Sequence, residues 1–431
     1  MRRLSIAAAA SLAVMAGGQV SEALAETEIT IGRFFGACEN AGNDPTVAVG
    51  EACIIQSIIN AFSEADNGIT VVTLPTEWDS YYDQIKTAYA GGNPPDVHVM
   101  HRHRVLEFAT LGAIAALTDD LAGAGIDSRD WADLAVAAVS NGDDIYAVPF
   151  DFHATLWHVN MDIMEEAGLV NQDGTLILPS SPEELLEQAK AVKEKTGKDY
   201  LASDFSVSPM GVRVLLAWIW QQNQNIFNGD TVTLDNDATR TAIKTLTDLI
   251  DAGYVNEQYD YQNAQQAFLN GEVAILANGT WVVDFYAAQA ADPEVPLANY
   301  HVTDFPTLFE TPATWADTHM WAVPASLKAN NPEKYAAALA LLAWINENNA
   351  AWAKTGHMAV RKSVLESDEY ANLPHRADYA NTANIARDVP PSVKYGAIQD
   401  TLVRELQSIW LTGKSTDDAL SDAEIDIQDL L

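Results

Sequence analysis

The 431-residue chain predicts an α/β fold built as two domains. Three observations carry this expectation. From residue 28 onward, runs at strand period alternate with runs at helix period in the order βαβαβ, which makes a parallel sheet with right-handed crossovers. The length exceeds what one ordinary hydrophobic core organises. Residues 145–160, IYAVPFDFHATLWHVN, hold two apolar runs joined by neither a helix nor a tight turn. Such a join reads as one chain passing from one domain into the other, with a single kinked strand as the alternative.

Residues 28–32 alternate and open the first sheet, and Phe34-Phe35-Gly36 ends that strand. Ile54, Ile55, Ile58, Ile59 and Phe62 share one helical face, so 52–65 is an amphipathic helix terminated by Asn67-Gly68. Residues 69–74 give the second strand. Glu77-Trp78-Asp79 leads into a helix that stops at Gly91-Gly92, and Asn93-Pro94-Pro95-Asp96-Val97 begins a third strand through Met100. Within 145–160, Pro149 lacks a ladder donor, so regular pairing weakens there. Ser181-Pro182-Glu183-Glu184 places Ser at the N-cap, Pro at the first helical position and Glu at the third, opening a helix that ends near Gly197. Helices follow at 209–222 and 238–252, with a short strand at 231–234 between them. From 331 to 431 the chain reads as mainly helical.

Arg2-Arg3, the apolar run 4–14 and the small-residue site Ala23-Leu24-Ala25 read as a secretory signal peptide, too short for a membrane span. The mature chain is then expected to begin near Glu26, in a periplasm. No Cys follows the cleavage site, so no lipid anchor is expected. The formal net charge is −36, and removing the leader barely alters it. Such an acidic surface repels phosphates and anionic lipid, which argues against nucleic-acid and membrane partners. Cys38 and Cys53 are the only cysteines. In an oxidising compartment the pair reads as one disulfide; two free thiols, or a catalytic thiol, are the alternatives, and no motif activates either residue.

Tyr146-Ala147-Val148-Pro149, Trp157-His158-Val159-Asn160 and Gly168 resemble a segment of the extracellular solute-binding proteins (family 1), the sugar-binding subunits of ABC importers, a group that includes maltose-binding protein. Trp78, Tyr81 or Tyr82, Gly92 and Pro95-Asp96-Val97 are similar to a second family landmark. The run 267–275 leading to Gly279-Thr280-Trp281 is similar to a third, and Ser415-Thr416-Asp417-Asp418-Ala419-Leu420 to the closing one. Gly356-His357-Met358-Ala359-Val360-Arg361 departs from the family pattern, with Ala359 where Pro is usual. The resemblance implies a type II-like periplasmic binding protein fold, with parallel-rich sheets flanked by helices and three hinge crossings. Those crossings are expected at 145–160, at Gly279–Trp281 and near 318–323. One lobe would hold 26–151 and 280–319, the other 152–279 and 320–431.

A sugar site needs aromatic faces for C–H surfaces and polar groups for hydroxyls. Ligands of open α/β sheets lie beyond the carboxyl ends of strands. Trp281 is the first candidate, followed by Trp78 and by one of Trp315 and Trp321 at the third crossing. Trp218 and Trp220 sit in an apolar helix and read as core. His101, Arg102, His103 and Arg104 follow the third strand, where the resemblance implies ligand contacts; a solvated helix start is the plain alternative. Together they suggest local positive potential suited to an acidic substituent such as a uronate. With His98 they also raise a metal reading, which alternation along the strand disfavours. Asp151 and His153 either bond hydroxyls or satisfy hinge backbone groups, and the resemblance adds Arg361.

The chain has no G-x-S-x-G, H-E-x-x-H, P-loop or dinucleotide fingerprint, so no catalytic residue, metal or cofactor is expected. The resemblance implies a soluble monomer that carries a carbohydrate to ABC permease subunits. A polyamine or ferric-ion binder is the alternative within the binding class. A carbohydrate-active periplasmic enzyme lies outside it.

Overall fold

The structure, a computed structural model, describes residues 26–65, 67–229, 231–389 and 392–431. The expected leader, 1–25, lies outside the described residues. Among them, nine strands form one sheet: β1 (Thr27–Arg33), β2 (Ile69–Pro75), β3 (Val97–His101), β4 (Val148–Asn160), β5 (Asp199–Ala202), β6 (Val273–Gly279), β7 (Tyr300–Asp304), β8 (Thr314–Ala322) and β9 (Ala386–Arg387). The order is β2-β1-β3-β8-β4-β6-β5, with β7 against β4 and β9 against β8. β1 pairs in parallel with β2 and β3, as the βαβαβ order requires. The two long central strands, β4 and β8, run antiparallel to each other.

The helices that matter below are α1 (Glu51–Glu64), α2 (Trp78–Ala90), α3 (Arg102–Thr110), α4 (Pro182–Thr196), α5 (Met210–Gln221), α6 (Asp237–Asp251), α7 (Tyr261–Leu269), α8 (Pro332–Glu347), α9 (Tyr395–Thr412) and α10 (Thr416–Leu430). Helix α1 buries the predicted isoleucine face. Helix α4 starts as its sequence says: the Ser181 hydroxyl accepts from the Glu184 amide, Pro182 stands at the first position, and the helix ends at Gly197 in the left-handed conformation. The Glu184 carboxylate accepts from the Ser180 amide instead of closing the box on Ser181. The expected strand at 231–234 is the short Thr231–Val232, paired with Phe227–Asn228. Cys38 and Cys53 are joined, closing the loop ahead of α1. Among the described residues, no helix is long and apolar enough to cross a membrane.

Two readings of the 145–160 stretch are corrected. It is one continuous strand, β4, and Ile145 belongs to a separate two-residue hairpin arm. Met320 faces Pro149 and His319 faces Asp151, so Phe150 is the extra residue of a bulge placed where the missing proline donor weakens the ladder. The strand nevertheless passes between two hydrophobic cores. Val148 and Phe150 belong to the first core, Trp157 and Val159 to the second.

These cores also redraw the expected lobe boundaries. The first takes residues from 29–150 and 320–360; the second takes residues from 157–277, 305–315 and 389–427. Residues 282–302 bury Val282, Val283, Tyr286, Tyr300 and Val302 against Leu156 and Leu276, on the second lobe. The segment 280–319 therefore does not pack with the first core, and 320–360 does. Gly279–Trp281 is not a crossing, because Thr280–Val282 turns straight into the helix Val283–Ala290, which folds back on the same lobe. The chain crosses along β4, returns along β8, and crosses again between Val360 of the first core and Tyr379 of the second lobe.

Candidate functional site

A cleft of about 430 Å³ lies between the lobes. Its first wall is made where strands of the first lobe end: Phe34-Phe35-Gly36 after β1, Glu77-Trp78-Asp79 after β2, and His101 closing β3. The opposite wall comes from Asp204 and 207–210 after β5, Arg213 on α5, Asp260-Tyr261-Gln262 at the start of α7, and Trp281 after β6. His153 of β4 and His319 of β8 form the floor, with Glu51 of α1 beside them. Every segment but those on the crossing strands and helices α1, α5 and α7 follows a strand's carboxyl end, where such folds place their ligands.

The walls carry aromatic surface. Trp281 is half-buried, and its indole N–H donates to the Tyr261 hydroxyl at 2.7 Å. Trp78 stands on the other lobe. Arg213 lies between them: its guanidinium carbon is 3.8 Å from the centre of the Trp315 ring and 5.9 Å from those of both Trp78 and Trp281. Arg213 is buried, and its Nε has no hydrogen-bond partner. Burial lowers its pKa to about 10, so it stays charged. Five carboxylates line the cleft with this one arginine: Glu51, Glu77, Asp79, Asp204 and Asp260. Burial raises the Asp79 pKa, and Asp204 and Asp260 raise it further from across the cleft. Burial, then Asp151 and Asp284, push Glu51 well above the ordinary carboxylate range, although about a fifth of its side chain (22%) stays exposed.

Below the floor the charge is paired internally. Asp151 is fully buried and accepts from His153 Nδ1 at 3.0 Å, His319 Nδ1 at 3.0 Å and Trp352 Nε1 at 2.7 Å. Burial alone would raise its pKa, but His319, His357 and the His153 bond outweigh it and keep the carboxylate ionised. Burial, then His319, lowers His153 to about 4, so its imidazole is neutral near pH 7. The rings of His153 and His319 stack with centres 3.9 Å apart.

Of the residues expected to bind ligand, the structure brings Trp281, Trp78, His101 and His153 to the cleft. The others are elsewhere. Asp151 sits one layer beneath, positioning the floor histidines. His103 is buried beside Asp317 and Tyr395, and Arg104 lies over the Tyr82 ring with an ion pair to Glu107. Arg102 pairs with Asp388. Helix α3 therefore turns three of the four basic residues away from the cleft, and the local positive potential expected there is consumed internally. His98 bonds the Tyr89 hydroxyl inside the first lobe, away from His101 and His103. Trp315 supports Arg213 without lining the cleft, and Trp321 is first-lobe core. Arg361 binds Asp130 and the Asn346 carbonyl, fastening the first lobe. Trp218 and Trp220 are core, as read.

Sequence reasoning missed Phe34, Phe35, His319, Arg213 and Tyr261. The first two stand immediately after β1, where the strand-end rule would have placed them. Arg213 carries no such signal, since it sits in an apolar helix and its aromatic partners are distant in sequence.

A profile of bacterial extracellular solute-binding proteins matches residues 57–378. A putative binding protein of Brucella abortus is 22% identical over 386 residues, covering 85% of this chain and 87% of that one. A lactose-binding protein of Rhizobium radiobacter is 25% identical over 180 residues, 41% of this chain and 40% of its own. Among solved structures, the GacH receptor of Streptomyces glaucescens, solved unliganded and with acarbose, superposes with a TM-score of 0.79 at 20% identity, covering 94% of this chain and 98% of that one. Maltose-bound MalE3 of T. maritima gives 0.79 at 19%, covering 94% and 100%. UgpB of Mycobacterium tuberculosis in complex with glycerophosphocholine gives 0.76 at 18%, covering 94% and 98%. At these identities the superpositions establish the two-lobed fold.

Proposed function

The chain belongs to the bacterial extracellular solute-binding proteins, and from that premise we propose that its cleft captures a carbohydrate in the periplasm and delivers it to the permease of an ABC importer. The observation that carries this reading is the pairing of Trp78 and Trp281 on opposite walls, with polar side chains between them. Indole faces cover the apolar C–H surface of a sugar ring, while Arg213, His101, His153 and His319 offer donors and acceptors to its hydroxyls. The cleft volume falls within the range of small-molecule sites.

The lobes are joined by the two central strands and the 360–379 connection, so rotation about these segments opens and closes the cleft. Cargo touching both walls favours the closed state by its differential affinity. The permease would recognise that closed monomer.

The cargo is taken to be neutral. An acidic sugar loses its support because the lining is carboxylate-rich and three of the four basic residues of 101–104 are spent elsewhere. The same carboxylates, beside aromatics, favour a second reading: an amine-bearing solute such as a polyamine. A ferric-ion carrier would want a pair of cleft tyrosines, and Tyr261 is the one that lines it among the described residues. Calorimetric titration with neutral mono- and disaccharides, a uronate and spermidine tests the reading. Saturable binding of a neutral sugar without turnover supports it. Binding of spermidine alone would transfer it to the second reading, and binding of none of them would refute both.

A further inference from the structure

Beneath the cleft floor, Asp151, His153, His319 and His357 each bring one nitrogen or oxygen within 4.8 Å of the others, and all four are buried. They come from three separate segments: β4, β8 and the turn at 356–358.

The hydrogen-bond bookkeeping of His357 leaves one lone pair unexplained. The Thr355 hydroxyl donates to the Trp352 carbonyl at 2.7 Å, so toward His357 Nδ1, 2.6 Å away, it can only accept. His357 therefore carries its proton on Nδ1, and Nε2 is a bare lone pair. That atom is buried and has no hydrogen-bond partner. It faces Asp151 Oδ2 at 3.7 Å and Glu51 Oε1 at 3.5 Å, both acceptors when ionised. A lone pair aimed at two carboxyl groups calls for a proton or a metal cation between them. The groups surrounding Asp151 are imidazoles and one indole N–H, none of them a permanent cation.

We propose that Asp151, His153, His319 and His357 form a binding site for one divalent transition-metal ion of the zinc class. Three imidazole nitrogens and one carboxylate oxygen are a donor set that such ions take in four-coordinate geometry, and that magnesium or calcium would not select. The outer shell is in place as well. Thr355 fixes the His357 tautomer so that Nε2 is the ligating atom, and Trp352 Nε1 orients the Asp151 carboxylate. Ligation through Nδ1 moves the ring protons of His153 and His319 to Nε2, and both rings line the cleft. The ion would thus hold three segments of the hinge together and set the two floor histidines as donors to cargo.

The test is zinc binding to the full chain, stripped with a chelator and free of cargo, measured by competition with a chromophoric chelator. His375→Ala is the background for every variant, because His301, His375 and Asp378 make a second, partly exposed cluster that could take up an ion. One equivalent is expected. His357→Ala and His319→Ala should each weaken it by more than about 100-fold, beyond what an outer-shell contact is worth. Thr355→Val, which preserves packing and frees the tautomer, should weaken it by about 10-fold. Anomalous scattering at the zinc edge should place the ion among the four side chains. No retained equivalent, or an equivalent indifferent to all three substitutions, would overturn the proposal, with a proton shared by Glu51 and His357 then satisfying the lone pair. Sugar affinity does not enter the measurement, so the carbohydrate reading stands or falls separately.

Discussion

The six-membered ring of Trp281 occupies the space that a β-carbon on Gly279 would fill. The Gly-x-Trp pattern is therefore a packing requirement: glycine lets the indole fold back over its own strand end and hold its edge toward His153, with ring centres 5.6 Å apart. Trp281→Ala should weaken cargo binding by about 1–3 kcal/mol, chiefly through lost apolar burial, with the fold retained. Gly279→Ala should expel the indole and cause a loss of the same order. The double variant should then lose little beyond either single one, because both act through one contact. Strict additivity in calorimetric titrations would show that Gly279 serves something other than the indole.

Arg213 is a buried cation resting on Trp315, with no carboxylate in ion-pair contact among the described residues. Arg213→Met keeps its length and removes the charge. Affinity should fall by about 1.5–3 kcal/mol if its N–H groups bond cargo. Thermal stability should hold or rise, since an unpaired buried charge no longer has to be desolvated. Unchanged affinity together with a lowered melting temperature would make Arg213 a packing residue.

The Cys38–Cys53 bridge closes a short loop ahead of α1, with a sequence separation of 15. Mass spectrometry of non-reduced protein should recover the linked peptides. Replacing both cysteines by Ala should lower stability by about 3 kcal/mol on chain-entropy grounds. Two alkylatable thiols in protein taken from an oxidising compartment would contradict the linkage.

Asp284 accepts a hydrogen bond from the Gly50 amide at 2.6 Å, at the start of α1. Burial raises its pKa to about 6, and that bond and Lys354 only partly offset the rise. A carboxyl with a raised folded-state pKa contributes stability at low pH and loses it as pH climbs from about 4 through about 6. Asp284→Asn keeps the acceptor and removes the titration. Its advantage over the natural protein should appear across that window and level off at ~3 kcal/mol above it. A stability difference that does not change between pH 4 and pH 7 would exclude Asp284 as the source.

What the sequence made legible was local. Strand and helix identities in 27–101 follow from period and stop signals, and Ser181-Pro182 marked a helix start that the structure keeps. The crossings were harder, because β4 and β8 are buried along nearly their whole length and show no alternation to reveal which side faces the cleft. Hence Trp315 and Trp321 drew attention while His319, between them, lines the floor. Helix α3 misled for a related reason. Its basic residues are real, but the partners of Arg102 and His103, Asp388 and Asp317, lie more than 200 residues away, and only the folded chain brings them together. The Gly-x-Trp pattern does put Trp281 on the cleft wall but marks no crossing, since packing within one lobe demands the same glycine.

The division of the two cores has a consequence for how the chain is made. Neither core is complete in any continuous stretch: the first needs 320–360 to close over 29–150, and the second needs 389–427. Ile29 and Ala338 share one core although some 300 residues separate them. A chain emerging from its N-terminus thus cannot finish either lobe until almost all of it has appeared, and contacts of such long range form slowly. The first lobe therefore closes only once residue 360 has been made, and the second only once residue 427 has been made, so both finish late in synthesis.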